Sequence, residues 1–132
     1  MAKYIQGDYL ELHGKPVRVV QNNIIELNRG DSFSIPIFIN VGERFEPVRY
    51  ILRPEDKVYV GIMEPNHPFE CSLIKKVLTR EDFNKKRDVV FKLDPIDTEY
   101  VMPGKYFLEA KIVLGNGKVY TILPKRQFWV VE

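Results

Sequence analysis

The chain has 132 residues, a length typical of one globular domain, and its 20 Lys and Arg residues nearly balance 18 Asp and Glu residues for a net charge of +2. This balance, with basic pairs such as Lys75-Lys76 separated by acids along the chain, argues against a nucleic-acid partner. The single cysteine, Cys71, cannot form an internal disulfide, and neither a signal peptide nor a membrane-spanning apolar run is recognisable. We therefore expect a protein made in a cytoplasm, with no membrane partner.

The first 22 residues predict an N-terminal arm ahead of a domain that spans residues 23–132. Leu10 and Leu12 alternate with other residues, and His13-Gly14-Lys15-Pro16 is typical of a turn. The extended pattern resumes at Val17, so we expect the arm to form a small β-hairpin. Because a two-stranded hairpin is marginally stable alone, its apolar residues must pack on the domain or on a neighbour.

Alternating apolar residues predict strands in the middle of the chain. The inward-facing sets repeat every second residue, as in half-buried strands; they are Phe33, Ile35, Ile37 and Ile39, then Val58, Val60 and Ile62, then Val89, Phe91 and Leu93. Pro36 predicts an edge position or a bulge, because proline cannot donate to a strand ladder. Residues 41–48 predict a charged loop, whereas residues 73–78 fit either a strand or a short helix.

The last third of the chain predicts a helical turn, a hairpin and a final strand. Asp94 before Pro95 is typical of a helix N-terminus, and we expect one helical turn from Pro95 to Glu99. Asn116-Gly117 predicts a tight hairpin turn with two positive φ angles, and residues 127–131 predict the last strand. The core face of the hairpin consists of Tyr106, Leu108, Ala110 and Ile112. In total about seven short strands predict an all-β fold, an antiparallel sandwich of two sheets.

Residues 23–132 resemble the immunoglobulin-like domains of tailed-phage virions, in particular the N-terminal domain of baseplate upper proteins and the related head decoration proteins. The resemblance rests on four stretches: Asn28-Arg29-Gly30-Asp31 leading into the strand at Phe33, Lys57 to Ile62, Val89 to Leu93, and Met102-Pro103-Gly104-Lys105-Tyr106 leading into the next strand. It implies an immunoglobulin-like sandwich and a virion component. Baseplate proteins continue into stem and receptor-binding parts, whereas this sequence has one such domain and an added arm. Both differences favour a small accessory protein on a larger shell.

The polar residues do not predict catalysis or a cofactor. His13 and His67 lie in different turns, and the Pro68 break separates His67 from Cys71, so a nucleophile and its base have no fixed geometry. The acids that invite a calcium site are dispersed along the chain: Asp31, Asp56, Asp94 and Asp97. Arg29-Gly30-Asp31 is typical of a turn as well as of an adhesion tripeptide, and no glycine-rich phosphate loop precedes a helix. We therefore expect no enzyme activity, no metal and no cofactor.

Aromatic residues outside the predicted core are the best candidates for a binding surface. Phe38, Tyr59, Phe107, Tyr120 and Trp129 fall on the opposite strand faces. Loops or the arm can cover these faces, but an exposed aromatic patch marks a protein partner, and a carbohydrate platform is a third alternative. The predicted partner-binding residues, with the apolar residues of the arm added, are Tyr4, Ile5, Tyr9, Leu10, Leu12, Phe38, Tyr59, Phe107 and Trp129.

These residues and the resemblance together predict a structural virion protein, made in the host cytoplasm and present in many copies per particle. Its partner is expected to be the major capsid protein, bound as a head auxiliary or decoration protein. The alternatives are a baseplate or tail component, and a carbohydrate-binding or adhesion module.

Overall fold

The computed structural model describes residues 4–10, 18–20, 24–43, 46–50, 52–82 and 89–132, and these residues form an all-β sandwich. Within these ranges the one α-helix, α1, is a single turn, and two 3₁₀ turns span Phe69–Cys71 and Arg80–Asp82. The ten strands of the described residues and the helix have these bounds: β1 Tyr4–Leu10, β2 Arg18–Val20, β3 Ile24–Asn28, β4 Phe33–Glu43, β5 Glu46–Arg49, β6 Lys57–Met63, β7 Ile74–Leu78, β8 Val89–Leu93, α1 Pro95–Glu99, β9 Gly104–Val113 and β10 Val119–Val131.

The strands form a larger and a smaller sheet. The larger sheet has six strands in the order β2-β3-β10-β9-β6-β7. In the smaller sheet β4 is central, because β1 pairs with one edge of it while β8 and β5 follow one another along the other edge. The prediction that Pro36 marks an edge strand or a bulge is not met by β4 as a whole, because β4 is central and the register shift lies in β1. Pro36 pairs with Val90 of β8 and lies one residue beyond the segment of β4 that pairs with β1, where its missing N–H costs no bond to that strand.

The core lies between the two sheets and is built by the predicted alternation. Every predicted core residue whose side chain is described is buried; Ile35 lies outside that set. Phe33 of the smaller sheet meets Phe91 edge-on and also reaches Phe128 of the larger sheet, with ring centroids 5.9 and 5.7 Å apart. These edge-to-face contacts join the sheets across the middle of the sandwich.

The prediction of an N-terminal hairpin arm was wrong in its pairing. β1 pairs antiparallel with β4 in the smaller sheet, whereas β2 pairs with β3 in the larger one. Unpaired edges of two sheets offer each strand a full ladder of hydrogen bonds, whereas an isolated hairpin is marginally stable. The N-terminal strands therefore extend both sheets.

Three further expectations need correction. The sandwich is not purely antiparallel, because β10 runs parallel to β3 over residues 127–131, and a parallel pair needs a long connection such as the whole intervening chain. In the predicted loop, residues 41–43 belong to β4 and residues 46–48 to β5, and the two strands pair antiparallel. The last strand begins at Val119 and not at residue 127, because the return strand of the hairpin continues through two register shifts into the predicted last strand.

The predicted helical turn is confirmed, and the hairpin turn differs in type. α1 spans the predicted residues, and Asp94 donates its backbone N–H to Asp97 Oδ2 at 2.7 Å. In the β9–β10 hairpin, Gly117 N–H donates to the Leu114 carbonyl and Lys118 closes the loop. Only Gly117 has a positive φ, +89°, so the turn is a three-residue loop ending in a glycine bulge instead of a two-residue turn.

Candidate interaction surfaces

Among the residues that the structure describes, which do not include His13, the predicted polar candidates form no metal-holding group. Cys71 is an exposed free thiol, and the exposed His67 ring has its Nδ1 3.0 Å from the carbonyl of Pro65. Across the described residues no group of three or more His, Cys, Asp or Glu side chains is placed to hold a metal ion. Of the four acids that invited a calcium site, Asp56 and Asp97 have structural partners of their own.

Asp56 is a buried carboxylate that joins two loops. It accepts hydrogen bonds from the Tyr50 hydroxyl, from the backbone N–H of Arg53 at 3.0 Å and from that of Gly115 at 3.0 Å. Burial alone would raise the pKa of Asp56, but these three hydrogen bonds hold it below its ordinary value. Burial and the bond to Asp56 raise the pKa of Tyr50 to about 12. The acceptor capacity of Asp56 is used within the fold, so its role is structural.

α1 is fixed firmly to the end of the sandwich. The buried Thr98 hydroxyl accepts a hydrogen bond from Gly30 N–H at 2.9 Å, and Asp97 forms a 2.8 Å ion pair with Lys76 of β7. Burial alone would raise the pKa of Asp97, but the bonds from Lys76 and from the backbone of Asp94 lower it. The Tyr106 hydroxyl donates to the Met102 carbonyl at 2.6 Å and holds the chain that follows.

This fixed segment exposes three large apolar side chains. Ile96, Tyr100 and Met102 are 63, 82 and 76% exposed. We call them the end patch; exposed Asp94 and Glu99 lie beside them in sequence. This patch was not predicted from the sequence, although Ile96 and Tyr100 are four residues apart at a predicted helical turn and thus share one side of it.

A second apolar surface follows the free edge of the larger sheet. Within the described residues β7 pairs with β6 alone. Leu73 and Val77 are 53 and 47% exposed, and Val77 lies directly opposite Tyr59, which the sequence selected. Tyr59, Leu73 and Val77 together are called the edge strip.

The outer face of the larger sheet is partly covered, as one of the sequence alternatives allowed. A Cβ on Gly61 would lie 2.3 Å from Ser72 Oγ and 2.9 Å from Phe69, so the 3₁₀ turn rests directly on the strand. Lys75 and Lys111 extend over the Phe69 ring, at 5.3 and 5.1 Å from its centroid. Tyr120 packs against the core.

Phe107 and Trp129 remain partly exposed on this face and are diagonal neighbours. Trp129 Nε1 donates to Gln127 Oε1 at 3.1 Å, and Lys105 Nζ lies 4.7 Å from the Trp129 ring. Beside them the register shifts of β10 shape an open depression of about 340 Å³. We call it the basic depression; its lining residues are Phe107, Pro124, Lys125, Arg126 and Gln127.

The other predicted partner-binding residues are placed only by their backbones. Tyr4, Ile5, Tyr9 and Leu10 belong to β1, and Phe38 belongs to β4. Their side chains, and the whole of Leu12, lie outside the described part of the chain. Of the predicted surface residues, the structure brings Phe107 and Trp129 together and places Tyr59 apart from them, near the β7 edge.

No protein-family model matches the chain, and no curated protein matches it. None of the helices described here is long and apolar enough to cross a bilayer.

Proposed function

We propose that this chain is a structural protein of a tailed-phage particle: a head auxiliary or decoration protein, with an immunoglobulin-like sandwich, that binds the capsid shell. The proposal rests on the resemblance of residues 23–132 to virion domains and on one structural observation, the edge strip. In this proposal the protein acts by binding and not by catalysis.

The edge strip suits attachment to another protein because it combines apolar side chains with a sheet edge that no other described strand covers. β7 presents backbone N–H and C=O groups that a partner strand can pair with, and edge strands are common sites of such strand addition. Leu73, just before β7, and Val77 lie on the same face as Tyr59, because residues 73, 75 and 77 are two positions apart and Val77 is directly opposite Tyr59. Lys75 lies between the two apolar side chains on this face. Full burial of a Leu or Val side chain stabilises a complex by about 1.5–3 kcal/mol.

Cosedimentation with purified heads of the phage that encodes the chain tests this proposal. We expect the wild-type protein to pellet with heads, and the double variant Leu73→Ser with Val77→Ser to remain in the supernatant. Val119→Ser is the matched control, because Val119 is 57% exposed but lies on β10, which β9 and β6 separate from β7.

Other results would contradict the proposal in distinct ways. Binding to isolated tails or baseplates and not to heads would assign the chain to the tail. Binding of the isolated protein to glycans, with no binding to any particle fraction, would favour the carbohydrate-binding alternative. Equal pelleting of the double variant and the wild-type protein would exclude the edge strip as the attachment surface.

A further inference from the structure

We infer that two copies of this chain bind each other, with the end patch of one copy seated in the basic depression of the other. The inference goes beyond attachment to a shell, because it uses different surfaces and needs no particle.

The end patch has the chemistry of an inserted group. Its three apolar side chains project from a helical turn that Thr98 and the Lys76–Asp97 ion pair hold in place, so little conformational freedom is lost on binding. Asp97 is neutralised by Lys76, whereas the exposed Asp94 and Glu99 form no ion pair within the described residues. The patch is therefore apolar with an acidic margin.

The basic depression has the opposite charge and a matching apolar floor. Phe107 and Pro124 supply apolar surface, and Lys125 and Arg126 supply two cations. Gln127 Oε1 already accepts from Trp129, which leaves its amide N–H groups available to an acceptor. The side chains of this depression thus offer donors and positive charge, and Lys105 adds a further cation over Trp129.

The two surfaces complement one another in three respects. A convex apolar group meets an open apolar depression, and carboxylates meet a guanidinium that forms no ion pair with any acid of the described residues. The exposed ring of Tyr100 can also lie against Arg126 or Lys125 as a cation–π contact. A volume of about 340 Å³ lies within the range that binds small ligands, so it has room for a side chain such as that of Tyr100.

Within one chain the two surfaces do not meet, because Ile96, Tyr100 and Met102 remain 63, 82 and 76% exposed. The Thr98 hydrogen bond and the Lys76–Asp97 ion pair hold α1 in this exposed position. A second copy has the same two surfaces, so its end patch can occupy the basic depression of the first copy.

Sedimentation velocity of the purified full chain over a range of concentrations tests the inference. We expect concentration-dependent association that weakens as salt rises, because charges form the margin of the contact. Tyr100→Ser removes the inserted ring and Arg126→Glu reverses the charge of the depression; each variant alone should associate at least about tenfold more weakly, a change of 1.4 kcal/mol. Lys118→Glu, at an exposed position of the far hairpin loop, is the matched control and should associate like the wild-type protein.

Mixing the two variants gives the decisive result. The Arg126→Glu protein keeps an intact end patch and the Tyr100→Ser protein keeps an intact depression, so one unaltered contact can form between them and their equimolar mixture should associate more tightly than either variant alone. Circular dichroism and thermal unfolding of each variant confirm that it is folded; if Arg126→Glu does not fold, Lys125→Glu takes its place. A wild-type protein that stays monomeric at millimolar concentration would overturn the inference. So would variants that associate like the wild-type protein, or a mixture that stays monomeric.

Discussion

Replacing Asp56 by alanine should destabilise the fold more than any other substitution of an acidic residue that the structure describes. Asp56 is 1% exposed and accepts three hydrogen bonds, so the substitution leaves the Tyr50 hydroxyl and the N–H groups of Arg53 and Gly115 without their acceptor. A buried donor left without a partner costs about 1–3 kcal/mol, and the Tyr50 hydroxyl can recover part of its loss by turning to water. We expect a total of about 2–4 kcal/mol.

Chemical denaturation and thermal unfolding measure this cost. For a domain of this length the expected loss lowers the melting temperature by roughly 10 °C. Glu55→Ala, at the exposed neighbouring position, should change stability by no more than about 0.5 kcal/mol. Tyr50→Phe should cost less in the Asp56→Ala background than in the wild-type protein, because the two side chains share one hydrogen bond. Additive effects, or an Asp56→Ala protein as stable as the wild type, would refute this account of the loop.

The same carboxylate predicts a dependence of stability on pH. The pKa of Asp56 is lower in the folded chain than its ordinary value, so the unfolded chain binds the proton more readily. The contribution of Asp56 to the free energy of unfolding is complete above the ordinary aspartate pKa of about 3.9. It is lost as the pH falls through the lower pKa that Asp56 has in the folded chain. Acid titration of the unfolding free energy should show a decline below about pH 4 that is shallower in Asp56→Ala.

Three further substitutions test the packing. Gly61→Ala should cost about 1–3 kcal/mol in denaturant unfolding, because its Cβ would meet Ser72 Oγ at 2.3 Å; unchanged stability would mean that the 3₁₀ turn does not rest on β6. Gly117→Val should cost about 1 kcal/mol or more, since a β-branched residue is strained at a φ of +89°, and a neutral result would rule out the glycine bulge. Leu108→Ala should cost about 2–5 kcal/mol, whereas Glu109→Ala should cost under about 0.5 kcal/mol; the reverse order would shift the register of β9 by one residue.

Local patterns in the sequence were enough to predict the inner strands and the helical turn. The alternation in β6, β8 and β9 reports directly which side of each strand is buried, and Asp94-Pro95 carries its own helix signal. Strand partners were not predictable, because the pairing of β1 with β4 and of β3 with β10 depends on contacts between distant parts of the chain. The continuity of β10 through Pro124 was not predictable either, because a proline occurs both at bulges and at strand ends.

The binding surfaces were predicted only in part. Tyr59 and Phe107 were selected by strand alternation, and both border surfaces that our proposals use. The end patch was not predicted, because apolar residues in a short helical turn are usually buried. The hydrogen bond between Gly30 and Thr98 fixes the other side of α1 to the sandwich, so Ile96 and Tyr100 face outward. Exposure of this kind depends on tertiary packing, which sequence periodicity does not report.

Electron cryomicroscopy of the phage particle that encodes this chain tests the central claim most directly. Our account predicts density for the two-sheet sandwich on the outer surface of the head, with β7 and the edge strip against the shell. Density for the domain at the baseplate or tail, or attachment through a surface remote from β7, would contradict it.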